Sequence, residues 1–363
     1  MAFLLMQLCN AATAQSKRDV LMKYLDADLR FTRKANAAYE AVAVREQDHW
    51  LLIAVYPDST PLLRIYFKDR AMTVKDGPFT VYYGTGMKAL EGYYLENRRE
   101  GVWKFWYPSG TLKDSGMLVN DLCSGGWKGW HENGQLRSEV EYLQEKQLDS
   151  SIIPNISAEP EQSVVAQGDL YGTLHGTYTT YSAKGQLLQK GWYDHGKKTG
   201  AWDFFYPDGN RECRGSFDTD LQDGRWEYFH ENGHTSTKET YERGKLAALE
   251  CYDTSGAFTG NMCSVLKPPV AVLDKYTDFN SYMLEQLQWP EALEGNAVNG
   301  IVQVEFTISR EGCVKEVRIL ESPHPLISQE VVRFLHSIPE WSPAISHNRT
   351  VEFTQKLRIP FYR

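Results

Sequence analysis

Six ten-residue segments of this chain begin and end in glycine and share one pattern of aromatic residues. They start at Gly77, Gly101, Gly125, Gly176, Gly200 and Gly224. The starts lie 24 residues apart within each group of three, and the third and sixth residues of every segment are aromatic. A fixed period of this length indicates a repeat architecture, in which each unit buries its apolar face only against its neighbours. We number the segments as repeats one to six and their residues as positions one to ten.

Each repeat carries the signature of a β-hairpin. Segments such as "FWYPSG" and "WHENG" end in turn-forming residues, and a polar-apolar alternation follows. This order predicts a type I turn closed by a left-handed residue, where glycine carries no Cβ penalty. The position-ten glycines are Gly86, Gly110, Gly134, Gly185, Gly209 and Gly233. A single hairpin is marginally stable, so we expect the hairpins to lie side by side in a long antiparallel meander sheet.

The two faces of the predicted sheet differ in polarity. Side chains alternate along a strand, so positions three, five and seven share one face and position six lies on the other. Position four is mostly polar, which makes the face of position six the wetter one. One interpretation is that rings at both positions pack hairpin on hairpin. The alternative is that exposed rings of the wetter face bind a glycan or a partner protein. The candidates for this second role are Trp106, Trp130, Phe205 and Phe229.

The two groups of repeats are offset by 99 residues, which indicates a duplicated block. By the same offset, residues 149–175 correspond to residues 50–76. We therefore predict a degenerate fourth hairpin in each of these segments, the alternative for 149–175 being an unstructured insertion. Upstream, Asp19 to Leu29 is predicted to be a short helix with leucines 21, 25 and 29 along one face.

The pattern G-x-W-x-x-(W/F)-(Y/H)-x-(N/D/S)-G-x-L resembles the MORN-type repeats of a bacterial family often labelled as antitoxin repeat proteins. The resemblance covers about residues 77–248, within a repeat region that we place at 50–266. It implies hairpin arrays used for binding or scaffolding, with no established chemistry.

A second domain follows a boundary at "KPPV", where two prolines interrupt any regular element. We place a linker at 267–275 and a C-terminal domain at 276–363. Its predicted elements are a helix at 279–287, two strands within 300–320, a helix at 326–338 and a strand at 351–361. This order predicts an α+β domain with helices on a three-stranded antiparallel sheet.

This region resembles the C-terminal domain of TonB. The resemblance rests on Trp289-Pro290, Gly300, Gly312, "PEWSPA" at 339–344 and the terminal "IPF". In that family the domain lies in the periplasm of Gram-negative bacteria and pairs by strand addition with a segment of an outer-membrane receptor. The resemblance implies an open edge on the last strand. The corresponding partner-binding candidates are Val351, Phe353, Gln355, Leu357 and Ile359.

The N-terminus indicates export. An apolar run ends in Ala12-Thr13-Ala14, so we predict a signal peptide at 1–14, although no Lys or Arg precedes Lys17. Residues 15–49 are predicted to hold the N-terminal helix and a lead-in strand. No later segment is apolar enough to cross a membrane, and we expect a periplasmic or envelope location. Five cysteines follow the predicted cleavage site; Cys251 and Cys263 could pair across a hairpin, or all five could be separate thiols.

The sequence offers little catalytic chemistry. Cysteine and histidine spacings do not match metal sites, and we predict no catalytic residue, metal or cofactor. His131 and His230 occupy position seven, where Tyr83, Tyr107 and Tyr206 stand in three other repeats, so we interpret them as packing residues. The formal charge of -8 argues against nucleic acid as a partner.

The predicted function is a non-catalytic, envelope-associated scaffold that binds a protein, such as an outer-membrane receptor or another envelope protein. One alternative is a TonB-system component in receptor-mediated transport that takes its motor from another chain, because this sequence has no inner-membrane helix or long Pro-rich span. The other alternative is an enzyme with an unrecognised site.

Overall fold

The computed structural model describes residues 20–145, 172–273, 276, 278–295 and 298–362. The chain divides at Gly224 and Arg225 into two compact units. The predicted signal peptide lies outside the described residues. None of the helices in the described part of the chain has the length and apolar character needed to cross a membrane.

Eighteen strands, counted over the described residues, belong to one antiparallel meander sheet, as the repeats predict. They are β1 (Val20–Leu25), β2 (Tyr39–Glu46), β3 (His49–Val55), β4 (Pro61–Phe67), β5 (Lys75–Tyr82), β6 (Lys88–Leu95), β7 (Arg98–Trp106), β8 (Leu112–Val119), β9 (Leu122–Trp130), β10 (Leu136–Leu143), β11 (Thr173–Tyr181), β12 (Leu187–Asp194), β13 (Lys197–Phe205), β14 (Arg211–Asp218), β15 (Leu221–Phe229), β16 (Thr235–Glu242), β17 (Lys245–Tyr252) and β18 (Phe258–Gly260). A 3-10 turn at Lys34–Asn36 precedes β2.

One edge of the sheet carries the predicted glycine turns. At Gly110 the φ angle is 85°, and its N–H donates to the Tyr107 carbonyl at 2.8 Å. Position seven then links the first two hairpins to their successors, because the Tyr83 hydroxyl donates to the Trp106 carbonyl at 2.7 Å and the Tyr107 hydroxyl to the Trp130 carbonyl at 3.0 Å. A row of side-chain hydrogen bonds therefore joins successive turns.

The opposite edge carries two-residue turns with positive φ at both residues, the geometry that matches strand twist. Asn120 and Asp121 have φ angles of 52° and 71°. The Asp121 carboxylate accepts a hydrogen bond from the Arg99 N–H at 2.9 Å, and Asp220 does the same for Lys198 at 2.8 Å. Each of these carboxylates lies 22 residues from the strand it holds, so this edge is also linked hairpin to hairpin.

The drier face is built by tryptophans that cover glycines of the preceding return strand. Trp103 and Trp127 are 3% and 6% exposed. A Cβ atom placed on Gly92 would lie 2.3 Å from the Trp103 ring, and one on Gly116 would lie 2.1 Å from the Trp127 ring. The ring thus fills the space that a side chain would occupy, an aromatic cover of a strand glycine.

The prediction of a helix at Asp19 to Leu29 is wrong. Residues 20–25 form β1, which pairs with β2 from Val20 opposite Val44 to Leu25 opposite Tyr39. A spacing of four is even, so leucines 21 and 25 share a face in a strand as well as in a helix. Pairing with β2 satisfies the backbone and leaves Leu25 only 1% exposed.

The two segments predicted to hold degenerate hairpins differ. In the first, β3 and β4 form a hairpin whose turn places Ser59, with φ of 75°, where other repeats have glycine. The second is 149–175, of which 149–171 lie outside the described residues. However, β10 pairs directly with β11, from Ser138 opposite Thr180 to Leu143 opposite Thr173. The sheet therefore passes from repeat three to repeat four with no strand between them.

The C-terminal α+β domain follows the sheet. Its elements are β19 (Leu266–Lys267), β20 (Val270–Val272), α1 (Phe279–Gln286), a 3-10 turn (Glu291–Leu293), β21 (Gly300–Ile308), β22 (Val314–Glu321), α2 (Pro325–Ser337), β23 (Glu340–Ser342), β24 (Ala344–Ser346), β25 (Arg349–Val351) and β26 (Phe353–Phe361). Three strands form the predicted sheet in the order β22-β21-β26. Its core joins Val304 and Phe306 of β21 to Val331 and Phe334 of α2, each at most 1% exposed.

The segment predicted as a linker contributes short strands. β19 pairs with β24, and β20 pairs with β23. Pro268 and Pro269 stand between β19 and β20, so the prolines separate two strands rather than two domains. Just upstream, Cys251 and Cys263 form a disulfide, the first of the two arrangements left open by the sequence.

Candidate docking surfaces

The last strand lies at an edge of the C-terminal sheet. β26 pairs with β21 over its whole length, from Phe353 opposite Ile308 to Phe361 opposite Gly300. Within the described residues no strand pairs with its other side. This outer side offers a row of backbone groups to which an extended peptide can bind.

Whether a residue of β26 has an odd or an even number decides whether its backbone groups face β21 or face outward. Proline has no N–H and is tolerated where that group would face away from the sheet, which applies to Pro360. In an antiparallel pair, the N–H and C=O of one residue point to the same side, and alternate residues point to opposite sides. Lys356 and Arg358 share the parity of Pro360. The hydroxyls of Thr354 and Thr307 lie 2.8 Å apart, as expected for a close pair without mutual backbone bonds. We assign outward backbone groups to Thr354, Lys356 and Arg358.

The side chains of this edge strand form a charged surface. Glu305 of β21 lies between two cations, with its oxygens 2.8 Å from an Arg318 guanidinium nitrogen and 3.3 Å from Lys356 Nζ. Charged side chains on an edge strand disfavour indiscriminate pairing between sheets. A partner strand must therefore be compatible with a basic rim that includes Arg358.

The partner-binding candidates of the last strand do not all lie on it. Val351 ends β25 and pairs with Ala344, so it is not part of the open edge. The others, Phe353, Gln355, Leu357 and Ile359, do lie on β26. The side chains of these residues lie on the core side of the sheet, with Ile359 only 1% exposed and Leu357 packed against the core. Their side chains hold the strand in place, and the groups left for a partner are those of the alternate residues.

The position-six rings are half-buried and lie in separate repeats. Trp106, Trp130, Phe205 and Phe229 all have intermediate exposure. Cations cover two of them, since Lys88 Nζ lies 5.7 Å from the Trp106 ring centre and Arg211 Cζ lies 5.7 Å from that of Phe205. Partner binding by these rings stays a prediction.

The two position-seven histidines make the same contacts as the tyrosines that they replace. His131 Nε2 lies 2.9 Å from the Tyr181 carbonyl, and His230 Nε2 lies 3.3 Å from the Tyr252 carbonyl. A carbonyl accepts only, so the imidazole N–H donates in each case. These contacts agree with a packing role for both residues.

A groove of about 560 Å³ in the N-terminal part of the sheet was not apparent from the sequence. Its lining includes a His49–Asp76 pair, with 2.8 Å between Nε2 and Oδ2, and Tyr66, whose hydroxyl donates to Glu46 at 3.0 Å. Burial alone would raise the pKa of Asp76, but hydrogen bonds from His49 and from the Glu96 N–H lower it. The lining contains no Ser, Thr or Cys nucleophile. Its residues come from five strands, β2 to β6, so no local motif marks the groove.

One group of side chains in the described part of the chain has the spacing of metal ligands. The candidate ligand atoms of His175, Asp194 and His195 all lie within 4.8 Å of one another. The three already pair with each other, with Asp194 Oδ1 at 3.2 Å from His175 Nδ1 and 2.7 Å from His195 Nδ1. Asp194 and His195 are exposed, so this cluster is a solvated turn.

Comparison with protein-family models matches both parts of the chain. The MORN repeat variant matches residues 99–120, 125–144, 174–197 and 222–243. The Gram-negative bacterial TonB protein C-terminal domain matches residues 285–362. A search of curated proteins finds no match. The chain thus carries MORN-variant repeats and a TonB-type C-terminal domain, which confirms both resemblances. Both are non-catalytic domain families, and together they indicate an envelope protein-binding or TonB-related role.

Proposed function

We propose that this protein is a non-catalytic scaffold of the bacterial envelope whose C-terminal domain binds a partner by strand addition to β26. The observation that carries the proposal is the open outer side of β26, at the edge of the β22-β21-β26 sheet. An extended segment of the partner would pair with the backbone groups of Thr354, Lys356 and Arg358. Main-chain hydrogen bonds supply affinity in this mode, and alternate side chains supply specificity.

The family matches support an envelope location. The TonB-type domain belongs to Gram-negative envelope proteins, and the predicted signal peptide would export the chain to the periplasm. A hairpin array that is linked along both edges is a suitable rigid support for a docking domain.

Proline substitution tests strand addition at the level of the backbone. Arg358→Pro removes an outward N–H and leaves the bonds between β26 and β21 in place, whereas Arg358→Ala removes the side chain and keeps the N–H. Full-length variants would be used to capture partners from solubilised envelope fractions. The proposal expects a protein retained by the wild type and by Arg358→Ala but lost with Arg358→Pro. It also expects the captured protein to protect the amides of Lys356 and Arg358 from hydrogen exchange. Equal capture by both variants contradicts it.

A second candidate is a TonB-system component in receptor-mediated transport, which the match at 285–362 favours. In that case the captured partner is an outer-membrane receptor, and removal of residues 276–363 abolishes uptake of the receptor's ligand. Uptake that persists in the truncated strain excludes this candidate and leaves the scaffold proposal intact.

A further inference from the structure

A tight hairpin tip of the C-terminal domain reaches the last repeats of the array. His347 and Asn348 connect β24 to β25 with φ angles of 50° and 60°. Their N–H groups donate to the carbonyls of Val265 at 2.7 Å and Ser264 at 2.9 Å. These two carbonyls directly follow Cys263, which the disulfide ties to β17. The tip is thus held in a fixed position.

His347 makes three kinds of contact with repeat six and with β16, the strand that returns from it. Its imidazole stacks on the ring of Tyr228, with centres 3.5 Å apart and planes 9° from parallel. Its Nδ1 lies 2.8 Å from the Glu239 carboxylate. Its carbonyl accepts a hydrogen bond from the Ser236 hydroxyl at 2.7 Å.

The neighbours of the tip are also engaged. The Asn348 side-chain amide donates to the Tyr252 carbonyl at 3.0 Å. Arg349, 7% exposed, donates to the Phe229 carbonyl at 3.2 Å. Its guanidinium carbon lies 5.4 Å from the centre of the Tyr228 ring. His347, Asn348 and Arg349 therefore all contact the repeat array.

Glu239 is a buried carboxylate with a full set of donors. It is 2% exposed and accepts hydrogen bonds from the Thr237 hydroxyl at 2.7 Å and the Tyr241 hydroxyl at 2.6 Å, besides the contact with His347. Burial on its own raises the pKa of Glu239, but the hydrogen bonds from His347, Tyr241 and Thr237 outweigh it and lower that pKa. An ionised carboxylate only accepts, so His347 Nδ1 donates. Loss of His347 would leave a buried charge short of one donor.

The position of Glu239 in the repeat explains why the array has space for the His347 ring. Glu239 lies 24 residues after Gly215 and 123 after Gly116, and thus at the return-strand position that holds glycine in repeats one, two, four and five. Within the array, that glycine is covered by the position-three tryptophan of the next repeat. Trp127 covers Gly116 and contacts Phe105, the position-five residue of repeat two, with ring centres 6.4 Å apart.

Repeat six has no such tryptophan after it. The segment 247–256 keeps the turn, with Gly256 at position ten, but its position three is Leu249, which pairs with Glu239. The position-five residue of repeat six is Tyr228. His347 therefore contacts the two residues that a following tryptophan would contact, the glycine-equivalent Glu239 and the position-five Tyr228.

We propose that the β24–β25 hairpin is the closing cap of the repeat array, with His347 in the place of the aromatic side chain that a further repeat would supply. Repeat arrays require a specialised end because each unit is completed by its neighbour. Here the docking domain supplies that end in the same chain. The cap couples the last repeats to the docking domain, so the two unfold together. This inference does not depend on strand addition at β26.

The test restores the interior arrangement inside the array. The double variant Glu239→Gly, Leu249→Trp supplies both the glycine and the tryptophan, so the new ring competes with His347 for this space. In the full-length protein we expect exchange of the His347 and Asn348 amides to accelerate at least about tenfold, as the loss of a hydrogen bond to a buried charge implies. We also expect calorimetry to resolve two unfolding transitions where the wild type has one.

Two single variants complete the test. His347→Asn keeps a side-chain donor and a residue that tolerates positive φ but lacks the ring, and it should show the same faster exchange. His336→Ala, an exposed histidine of α2, is the matched control and should behave as wild type. Wild-type exchange and a single transition in both the double variant and His347→Asn would overturn the proposal.

Discussion

Trp127 lies directly over Gly116, so close that a Cβ atom on Gly116 would come within 2.1 Å of the ring. The contact joins the return strand of one repeat to the first strand of the next. It explains why the array needs a small residue and a large ring at fixed positions of its period.

Gly116→Ala should destabilise the protein by about 1–3 kcal/mol, because the added methyl group must displace a buried indole. The measurement is the free energy of unfolding from denaturant titration. Gly126→Ala is the matched control, since nothing lies within 4 Å of the position of its Cβ. Equal stability of the two variants would show that the Trp127 ring is not held against Gly116.

Truncation of an aromatic ring should cost more stability on the drier face of the sheet than on the wetter face. Trp127→Ala removes a ring that is 6% exposed and should cost about 3–5 kcal/mol. Trp130→Ala removes a half-buried ring of the wetter face and should cost clearly less, about 1 kcal/mol. Thermal unfolding of the two variants provides the comparison. If Trp130→Ala proves as costly as Trp127→Ala, the wetter face is core and is not available for a partner.

Tyr107→Phe tests the row of hydrogen bonds along the glycine-turn edge. It removes the hydroxyl that donates to the Trp130 carbonyl and should lower the free energy of unfolding by about 0.5–1.5 kcal/mol. Tyr93→Phe, on a side chain that is 42% exposed, is the control and should change stability by less than about 0.5 kcal/mol. A loss that is no larger for Tyr107→Phe than for the control would mean that the turns are held by the backbone alone.

The stability of the protein should depend on pH through Asp114. Burial raises the pKa of Asp114 to about 6, with Arg137 and Lys113 only partly opposing the effect. A carboxyl group whose pKa is higher in the folded state favours folding when it is protonated, and that contribution is lost as the pH rises through about 6. The free energy of unfolding should therefore be about 1 kcal/mol lower at pH 7.5 than at pH 5, as far as this residue is concerned.

Asp114→Asn identifies the source of this dependence. The variant cannot titrate at this position, so the difference between its free energies of unfolding at pH 5 and pH 7.5 should shrink by the Asp114 contribution, whatever its absolute stability. An unchanged pH dependence would assign the effect to other groups.

The repeated hairpins could be predicted from the sequence because turn chemistry is local. Pro-Ser-Gly at 108–110 specifies its own conformation, and the 24-residue period brings the rings into register. The elements of the C-terminal domain were predictable for the same reason, since their apolar spacing and prolines act within a few residues. The prediction of a helix at Asp19 to Leu29 was wrong because the leucine spacing fits both a helix and a strand. Pairing of β1 with β2 decided between the two.

Contacts between distant residues left no such signal. His347 and Glu239 lie 108 residues apart, and nothing in either neighbourhood indicates the other. The glutamate was nevertheless visible as an exception, because it stands at a repeat position that is glycine in four of the other five repeats. The lining of the groove, drawn from five strands, had no sequence signature at all.

The replacement of glycine by Glu239 has a consequence for the length of the array. Gly92, Gly116 and Gly191 leave room on their strands for the tryptophan of the next repeat, and Val140 of repeat three lies opposite the smaller ring of Tyr178. A buried carboxylate with three hydrogen-bond donors leaves no such room, so an additional repeat cannot be inserted after repeat six without removing that charge. The chain continues beyond Glu239 with β17 and β18, but we expect no further tryptophan-bearing repeat to pack there while the carboxylate is present.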